Sequence, residues 1–263
     1  MRVAFVENLM QDHRYKLIVA YDGTDYAGWQ SQGTGNTVAE VLLKAFSEVF
    51  KSPVSLRGVS RTDAGVHALG QVVLVKTSVS ISAEKLAFAW NNRLPADIVI
   101  LSAQKMPLDF RLQANILEKT YQYHFFIKMP TPFVARYGWY VQKPVDLAKL
   151  QAALQLFIGT HDFRSYCTGD DWPDTVRTIN SITLDYLEEA QKYRITIKGQ
   201  RFLRYMIRRI VGACMQIASN SYQDIGILSK IMAEKNPEQN LLNAPAKGLT
   251  LFRVEYHGEK IEL

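Results

Sequence analysis

The order of predicted secondary structure in the first half of the chain constrains the fold more than any other feature. Alternating or purely apolar runs predict four strands, at 15–21, 54–59, 71–75 and 98–101. A first helix follows Thr37, with Glu40 three residues later as in a capping box, and a second follows Ser82. Strand, helix, strand, strand, helix, strand is the order of a ferredoxin-like unit.

The second half of the chain repeats this order of elements. Strands are predicted at 121–127, 178–187, 193–198 and 249–256. Helices are predicted after Asp146 with a stop at Gly159, from Gln200, and near Asp224. We therefore predict the α+β class, with two ferredoxin-like halves forming one mixed, mainly antiparallel sheet with flanking helices. The predicted boundaries are an N-terminal extension at 1–13, an N-terminal half at 14–112 and a C-terminal half at 113–263.

Charge and composition limit the functions that the chain can have. Its 263 residues have a net charge of +6 and a pI near 9.2, which favours a polyanionic partner. Cys167 and Cys214 form no metal-binding spacing, and Gly33-Thr34-Gly35 lacks the Lys-Ser/Thr of a phosphate-binding loop. No apolar run approaches the roughly 20 residues of a membrane span. We expect a cytoplasmic protein without metal, cofactor or membrane association.

The loop at 60–68, between the predicted second and third strands, contains an arginine, a carboxylate and an imidazole. These are Arg61, Asp63 and His67, and Gly65 between them gives the backbone room to turn. An arginine next to a carboxylate stabilises its ionised form, which suits a nucleophile better than a general acid. The other interpretation of these residues is a hairpin loop closed by an Arg–Asp ion pair.

Several motifs resemble one enzyme family. The run Arg-Thr-Asp-Ala-Gly-Val-His-Ala at 61–68 resembles the catalytic signature of the TruA-type tRNA pseudouridine synthases, which usually have Gly in place of Ser60. Three further segments also match the family, and they occur along the chain in the family's order. They are Gly-Trp-Gln-x-Gln at 28–32, Arg-x-Ile-Val-Gly at 208–212 and Ala-Pro-Ala-Lys-Gly-Leu at 244–249. The chain departs from the family after Phe110, where Arg111-Leu112-Gln113 replaces the usual His and Arg.

The resemblance implies a pseudouridine synthase fold and the isomerisation of uridine to pseudouridine in tRNA. The implied targets are uridines 38–40, on the 3′ side of the anticodon stem-loop. Asp63 would be the nucleophile and would attack C6 of the base or C1′ of the sugar. Arg208 would pair with Asp63, and Arg61 would occupy the space of the extracted base. Tyr121 would stack on the uracil and Leu249 would line the pocket. His67 is predicted to have a structural role.

Other residues are predicted to bind the RNA. Trp29 and Gln30 suit stacking on and hydrogen bonding to single-stranded RNA, unless Trp29 packs over the sheet. Helical spacing from Gln200 places Arg201 and Arg204 on one cationic face with Arg208 and Gly212. This face would either contact phosphate or be exposed to solvent without binding RNA.

The predicted partners are tRNA and a second copy of the chain in a homodimer, which the resemblance alone implies. Two competing functions stay open. One is a related synthase acting at other tRNA uridines, because of the departure at 111–113. The other is a tRNA-binding or tRNA-folding module without catalysis, in which one of Asp63, Tyr121 and Arg208 would be replaced; all three are present.

Overall fold

The protein divides into two compact units. The computed structural model describes residues 13–33, 35–169 and 173–258, so residues 1–12 of the predicted extension lie outside the described residues. Unit 1 contains the residues up to Ala64 together with Ala68–Ala114. Unit 2 contains Gly65–His67 and the residues from Asn115 onward.

Unit 1 has the strand and helix order that the sequence predicts. Its elements are β1 (His13–Tyr21), α1 (Val38–Phe50), β2 (Val54–Gly58), β3 (His67–Thr77), α2 (Ala83–Asn91) and β4 (Ile98–Met106). Strand β1 pairs with both β3 and β4, and β2 pairs with the other edge of β3, all antiparallel. The resulting order, β4-β1-β3-β2, is that of a ferredoxin-like unit.

Local sequence determines where α1 begins, and its apolar face forms the core of unit 1. The predicted capping box is present: the Thr37 hydroxyl accepts from the backbone N–H of Glu40, and the Glu40 carboxylate accepts from that of Thr37. Phe46 is fully buried and its ring meets Trp90 of α2 edge-on at 4.8 Å. The Trp90 indole donates to the carbonyl of Leu42 at 3.1 Å, so the helices are joined by a polar bond as well as by packing.

Unit 2 repeats the architecture with two added strands. Its elements are β5 (Ile116–Phe126), β6 (Trp139–Tyr140), α3 (Leu147–Gln155), β7 (Gly159–Asp162), β8 (Val176–Leu187), β9 (Lys192–Gly199), α4 (Met206–Ala218), α5 (Gly226–Glu234) and β10 (Leu249–Tyr256). The antiparallel order is β10-β5-β9-β8-β7, and β6 pairs parallel to β5. Strands β10-β5-β9-β8 match the order of unit 1. The α+β class with mainly antiparallel strands is confirmed.

The helix predicted from Gln200 begins later, at Met206. The prediction of a cationic helical face that includes Arg201 and Arg204 is therefore wrong. Tyr205 has a φ of 62°, a left-handed conformation that a right-handed helix cannot include. Arg201 and Arg204 lie in the segment before α4 and share no helical face with Arg208. Gly212 is buried, and a Cβ there would overlap the carbonyl oxygen of Leu242.

The predicted stop of α3 at Gly159 is also wrong. The helix ends at Gln155. The N–H of Phe157 donates to the carbonyl of Leu154 and the N–H of Ile158 to the carbonyl of Gln155, each three residues earlier in the chain. These bonds tighten the last turn without a glycine. Gly159 has a φ of 107° and opens β7, an edge strand that the apolar pattern did not predict.

Candidate active site

One end of the loop at 60–68 is held by the side-chain amide of Gln71. Gln71 is fully buried on β3; its Oε1 accepts from the backbone N–H of Ser60 at 3.2 Å and its Nε2 donates to the carbonyl of Ser60 at 2.6 Å. A buried amide that satisfies both backbone groups of one residue mimics a strand partner. The Ser60 hydroxyl is buried without a hydrogen-bond partner among the described residues, so this position uses its backbone and not its side chain.

The middle of the loop is held through Thr62. Its hydroxyl lies 2.8 Å from the phenol oxygen of Tyr21, and its carbonyl accepts from the backbone N–H of Trp29 at 3.1 Å. Gly28 has a φ of 97°, and a Cβ there would lie 2.7 Å from the same carbonyl. The Gly-Trp pair therefore supports the backbone on which Asp63 stands, and no residue with a side chain fits at Gly28.

The Trp29 ring belongs to the core of unit 1, which corrects its prediction as an RNA-stacking residue. Trp29 is 5% exposed, and its ring centroid lies 6.1 Å from that of Tyr21 in a stacked arrangement. The ring fills a space above Gly58 of β2, where a Cβ would lie 2.5 Å from the indole. The alternative that Trp29 packs over the sheet is correct, whereas the neighbouring Gln30 is exposed.

Glu40 has a second role beyond the capping box. Its Oε1 accepts from the Ser31 hydroxyl at 2.7 Å and from the backbone N–H groups of Gln32 and Gly33 at 3.1 and 2.7 Å. The hydrogen bond from Ser31, with those from Thr37 and Gly33, lowers the pKa of Glu40 to about 2, against the opposing effect of burial. One carboxylate thus fixes both the start of α1 and the loop that carries Gln30.

Gln113, in the segment that departs from the family's sequence, contacts the residue that precedes the candidate catalytic loop. The Gln113 amide donates to the carbonyl of Val59 at 3.0 Å, immediately before Ser60. Leu112 is 3% exposed, whereas Arg111 is exposed. Within this loop Asp63 is half-buried and Arg61 is exposed. Gln113 therefore supports the same backbone as Gln71, from a different part of unit 1.

In unit 2, Tyr121 and Leu249 lie on one face of the sheet. In the pairing of β5 with β10, Leu251 lies opposite Tyr121 and Leu249 opposite Tyr123, so Leu249 is the diagonal neighbour of Tyr121. Tyr121 is 7% exposed, and its ring meets that of Phe202 edge-on at 5.2 Å. Leu249 is 6% exposed.

Lys119 is a buried cation that sequence reasoning missed. It lies two residues before Tyr121 on β5 and therefore points to the same face of the sheet. Burial, and then the positive charge of Arg201, lower the pKa of Lys119 to about 8. The available signal was a lysine at one of the alternate positions of β5 that are otherwise occupied by Leu117, Tyr121, Tyr123 and Phe125.

Arg208 is fixed by the segment that precedes β10. Its Nε donates to the carbonyl of Ala244 at 2.8 Å, and Ala244 N–H donates to the carbonyl of Arg208 at 3.0 Å. The Arg208 guanidinium also lies 5.4 Å from the centre of the Tyr205 ring. The Tyr123 phenol donates to the carbonyl of Pro245 at 2.9 Å, so the segment that leads to Leu249 is held at two adjacent residues.

Comparison with known proteins agrees with the motifs. A family model described as "tRNA pseudouridine synthase" matches residues 17–113 and 153–257. The chain belongs to the tRNA pseudouridine synthase family. The protein named tRNA pseudouridine synthase A of Thermodesulfovibrio yellowstonii is 33% identical over 92% of this chain and 98% of its own length. The protein of that name from Thermoanaerobacter sp. is 36% identical over 91% and 98%. tRNA pseudouridine synthase A 1 of Protochlamydia amoebophila is 37% identical over 94% and 98%.

Membership of the tRNA pseudouridine synthase family confirms the reaction predicted from the motifs. The protein is an isomerase that converts uridine in tRNA to pseudouridine. Among solved structures, a chain from the crystal structure of a Cbf5-Nop10-Gar1 complex matches with a TM-score of 0.33 at 11% identity, over 74% of this chain and 43% of that chain. The family assignment does not depend on this distant likeness.

Two features are absent from the part of the chain that the structure describes. No helix there is long and apolar enough to cross a bilayer. No group of three or more His, Cys, Asp or Glu side chains within the same residues is placed to hold a metal ion.

Proposed function

We propose that the protein isomerises uridines on the 3′ side of the tRNA anticodon stem-loop, with Asp63 as the nucleophile. The observation that carries this proposal is the support of the loop around Asp63. Gln71, Gln113, Tyr21 and the backbone of Trp29 hold Val59, Ser60 and Thr62, the residues that lead into Asp63. A nucleophile is effective when its surroundings hold it in the reactive geometry.

The reaction rearranges bonds without oxidation or reduction. The bond between C1′ and N1 of uracil breaks, the base turns, and C5 bonds to C1′ while the C5 proton is lost and N1 gains a proton. The Asp63 carboxylate forms a covalent intermediate, at C6 or at C1′, and is released unchanged. The target base must first leave its stack, at a cost of a few kcal/mol.

The other roles rest on the resemblance to the family. Arg208 keeps Asp63 ionised and oriented, and Arg61 occupies the space that the extracted base leaves. Tyr121 stacks on the uracil, and Leu249 forms part of the wall. Their places in the fold agree with these roles: Tyr121 and Leu249 share a sheet face, Arg208 is anchored and Arg61 is exposed.

Arg201, Arg204 and Gln30 are proposed contacts of the tRNA. All three are exposed, and each offers donors to phosphate or base oxygens. Arg201 and Arg204 lie in the irregular segment before α4 and not on a helix face, so they would contact the RNA backbone separately. We further propose a homodimer and a cytoplasmic location, both of which rest on family resemblance and composition.

Mapping of pseudouridine in tRNA, from cells with and without the protein, tests this function. Loss of pseudouridine only at positions 38–40 supports the anticodon stem-loop as the target. Loss at other positions would favour the related-synthase alternative, in which the residues at 111–113 alter target choice. Unchanged pseudouridine with altered tRNA folding would favour the non-catalytic module.

A further inference from the structure

The loop between β5 and β6, residues 127–138, carries a large exposed aromatic side chain that the proposed reaction does not use. Phe133 is 89% exposed and Met129 is 79% exposed. Exposed large apolar side chains concentrated on one loop indicate a binding surface.

The β5–β6 loop has a defined backbone that displays Phe133. The carbonyl of Thr131 accepts from the N–H groups of Val134 and Ala135 at 3.1 and 3.0 Å. Pro130 and Pro132 restrict φ on the approach to Phe133. The ammonium of Lys247 donates to the carbonyl of Ala135 at 3.1 Å. A surface ordered before binding loses less conformational entropy when a partner arrives.

The base of this loop is attached to the last part of the catalytic motif. The ring of Tyr137 lies 5.4 Å from that of His67, and His67 Nε2 lies within hydrogen-bonding distance, 3.2 Å, of the carbonyl of Lys247. His67 is 5% exposed, which agrees with the structural role predicted for it. His67 and Lys247 therefore connect the β5–β6 loop to the part of the 61–68 motif that lies in unit 2 and to the segment before β10.

The charge around Phe133 favours RNA over a second protein copy. Residues 127–140 include Lys128 and Arg136, both exposed, and no Asp or Glu. In a two-fold dimer through this surface, the same cations would face each other. Aromatic rings beside basic side chains are what single-stranded nucleic acid binds, by base stacking and phosphate contact.

We propose that Phe133 is a stacking platform for an unpaired base of the tRNA other than the uridine being isomerised, with Lys128 and Arg136 contacting the adjoining phosphates. This inference rests on the proposed function, since it takes tRNA as the partner.

Substitutions that separate ring stacking from general apolar contact test the platform. We expect Phe133→Ala and Phe133→Leu to raise the Kd for a tRNA transcript about ten-fold, and Phe133→Tyr to stay within about two-fold, because stacking needs the ring. Arg136→Gln should reduce the salt dependence of affinity by about one unit of slope. The control is Phe88→Ala on α2, which removes a ring that is 71% exposed, and it should leave the Kd unchanged.

A direct probe is Phe133→Trp, whose added fluorescence relative to the parent should be quenched by bound tRNA. Equal affinity of the Leu and Phe forms, or no quenching, would overturn the stacking role. A shift from dimer to monomer in sedimentation of Phe133→Ala would instead assign the surface to contact between copies. Pseudouridine formation by the unsubstituted protein separates the two failures: if it forms and only the platform test fails, the proposed function stands.

Discussion

Arg208 and Ala244 are joined by two reciprocal hydrogen bonds, from the Arg208 Nε to the Ala244 carbonyl and from the Ala244 N–H to the Arg208 carbonyl, at 2.8 and 3.0 Å. They fix the first turn of α4 to the segment that leads into β10. The side-chain bond to Ala244 comes from Nε, and the proposed pairing with the Asp63 carboxylate would involve the two terminal nitrogens of the guanidinium. Arg208 is therefore held through both its side chain and its backbone.

Replacing Arg208 should damage turnover more than binding. Arg208→Lys keeps the positive charge, but a single ammonium cannot donate to Ala244 and also form two parallel hydrogen bonds to a carboxylate. We therefore expect kcat to fall by about 100-fold or more, as for a misplaced catalytic group. The Kd for tRNA should change by a few-fold only. Arg204→Ala is the comparison: it should weaken binding and lower the salt slope by about one unit, with turnover of bound tRNA retained. Equal behaviour of the two variants would remove the special role of Arg208.

Asp63→Asn should abolish pseudouridine formation while tRNA affinity stays within a few-fold. The amide has nearly the shape of the carboxylate but is not a nucleophile at neutral pH. Product is measured by release of the C5 hydrogen label and affinity by filter binding. Asp109→Asn, at an exposed acid of unit 1, is the control and should be fully active. Substantial product from Asp63→Asn would exclude the nucleophile assignment.

Local patterns predicted most of the fold because they reflect local physics. The capping box at Thr37 and the apolar face of α1 depend on residues three or four positions apart, and both are present in the structure. The start of α4 was missed because the helical spacing of apolar residues continues back through 200–205. The left-handed backbone of Tyr205 is visible only in the structure.

The supports of the candidate site were harder to predict, since they join distant parts of the chain. Trp29 is buried because Gly58, on β2, leaves space for its ring. The bonds of Gln71 to Ser60 span 11 residues, and that of Gln113 to Val59 spans 54. The available sign in the sequence was that Gln71 is the one polar residue of the predicted apolar strand at 71–75, which indicates that its side chain has a buried polar partner.

Gln71→Ala should reduce both stability and turnover. It leaves the backbone N–H and carbonyl of Ser60 without their partner, and each unsatisfied buried group costs about 1–3 kcal/mol. Unfolding in urea measures the stability loss, and single-turnover kinetics at a temperature where the variant is folded measures the effect on the loop. Lys76→Ala, on the same strand and half-exposed, is the control. A variant of Gln71 with lowered stability but an unchanged rate would show that Asp63 does not need this support.

The stability contributed by Glu40 should depend on pH in a defined window. Its pKa is about 2 in the folded protein and 4.5 ordinarily, so its contribution is complete above pH 4.5 and is lost as pH falls toward 2. Glu40→Gln should lower the free energy of unfolding by about 1 kcal/mol at pH 7, the scale of a helix cap. The difference from the parent should shrink between pH 4.5 and 2. Glu48→Gln, which removes a carboxylate at an exposed position of the same helix, is the matched control.

Tyr121 is the residue at which ring and hydroxyl can be separated. Its ring packs edge-on against Phe202 and it is nearly buried, so substitution must preserve the packing if it is to report on chemistry. Stacking on uracil needs only the ring and contributes about 1–3 kcal/mol per base. Moving a proton from the rearranging nucleotide needs the hydroxyl, whose ordinary pKa of about 10 makes it a weak base unless its surroundings change that value.

We therefore expect Tyr121→Phe to keep tRNA binding and lose most of its turnover, whereas Tyr121→Ala loses both base placement and turnover. Single-turnover kinetics and binding on the same tRNA distinguish the two effects, and Tyr140→Phe, a half-buried tyrosine of β6, is the matched control. A near-normal rate for Tyr121→Phe would mean that the ring alone matters. The proton would then pass to another group. Lys119 is the first candidate, because it lies on the same face of β5 and has a pKa of about 8. The rate of Lys119→Met and the pH dependence of the rate would test it.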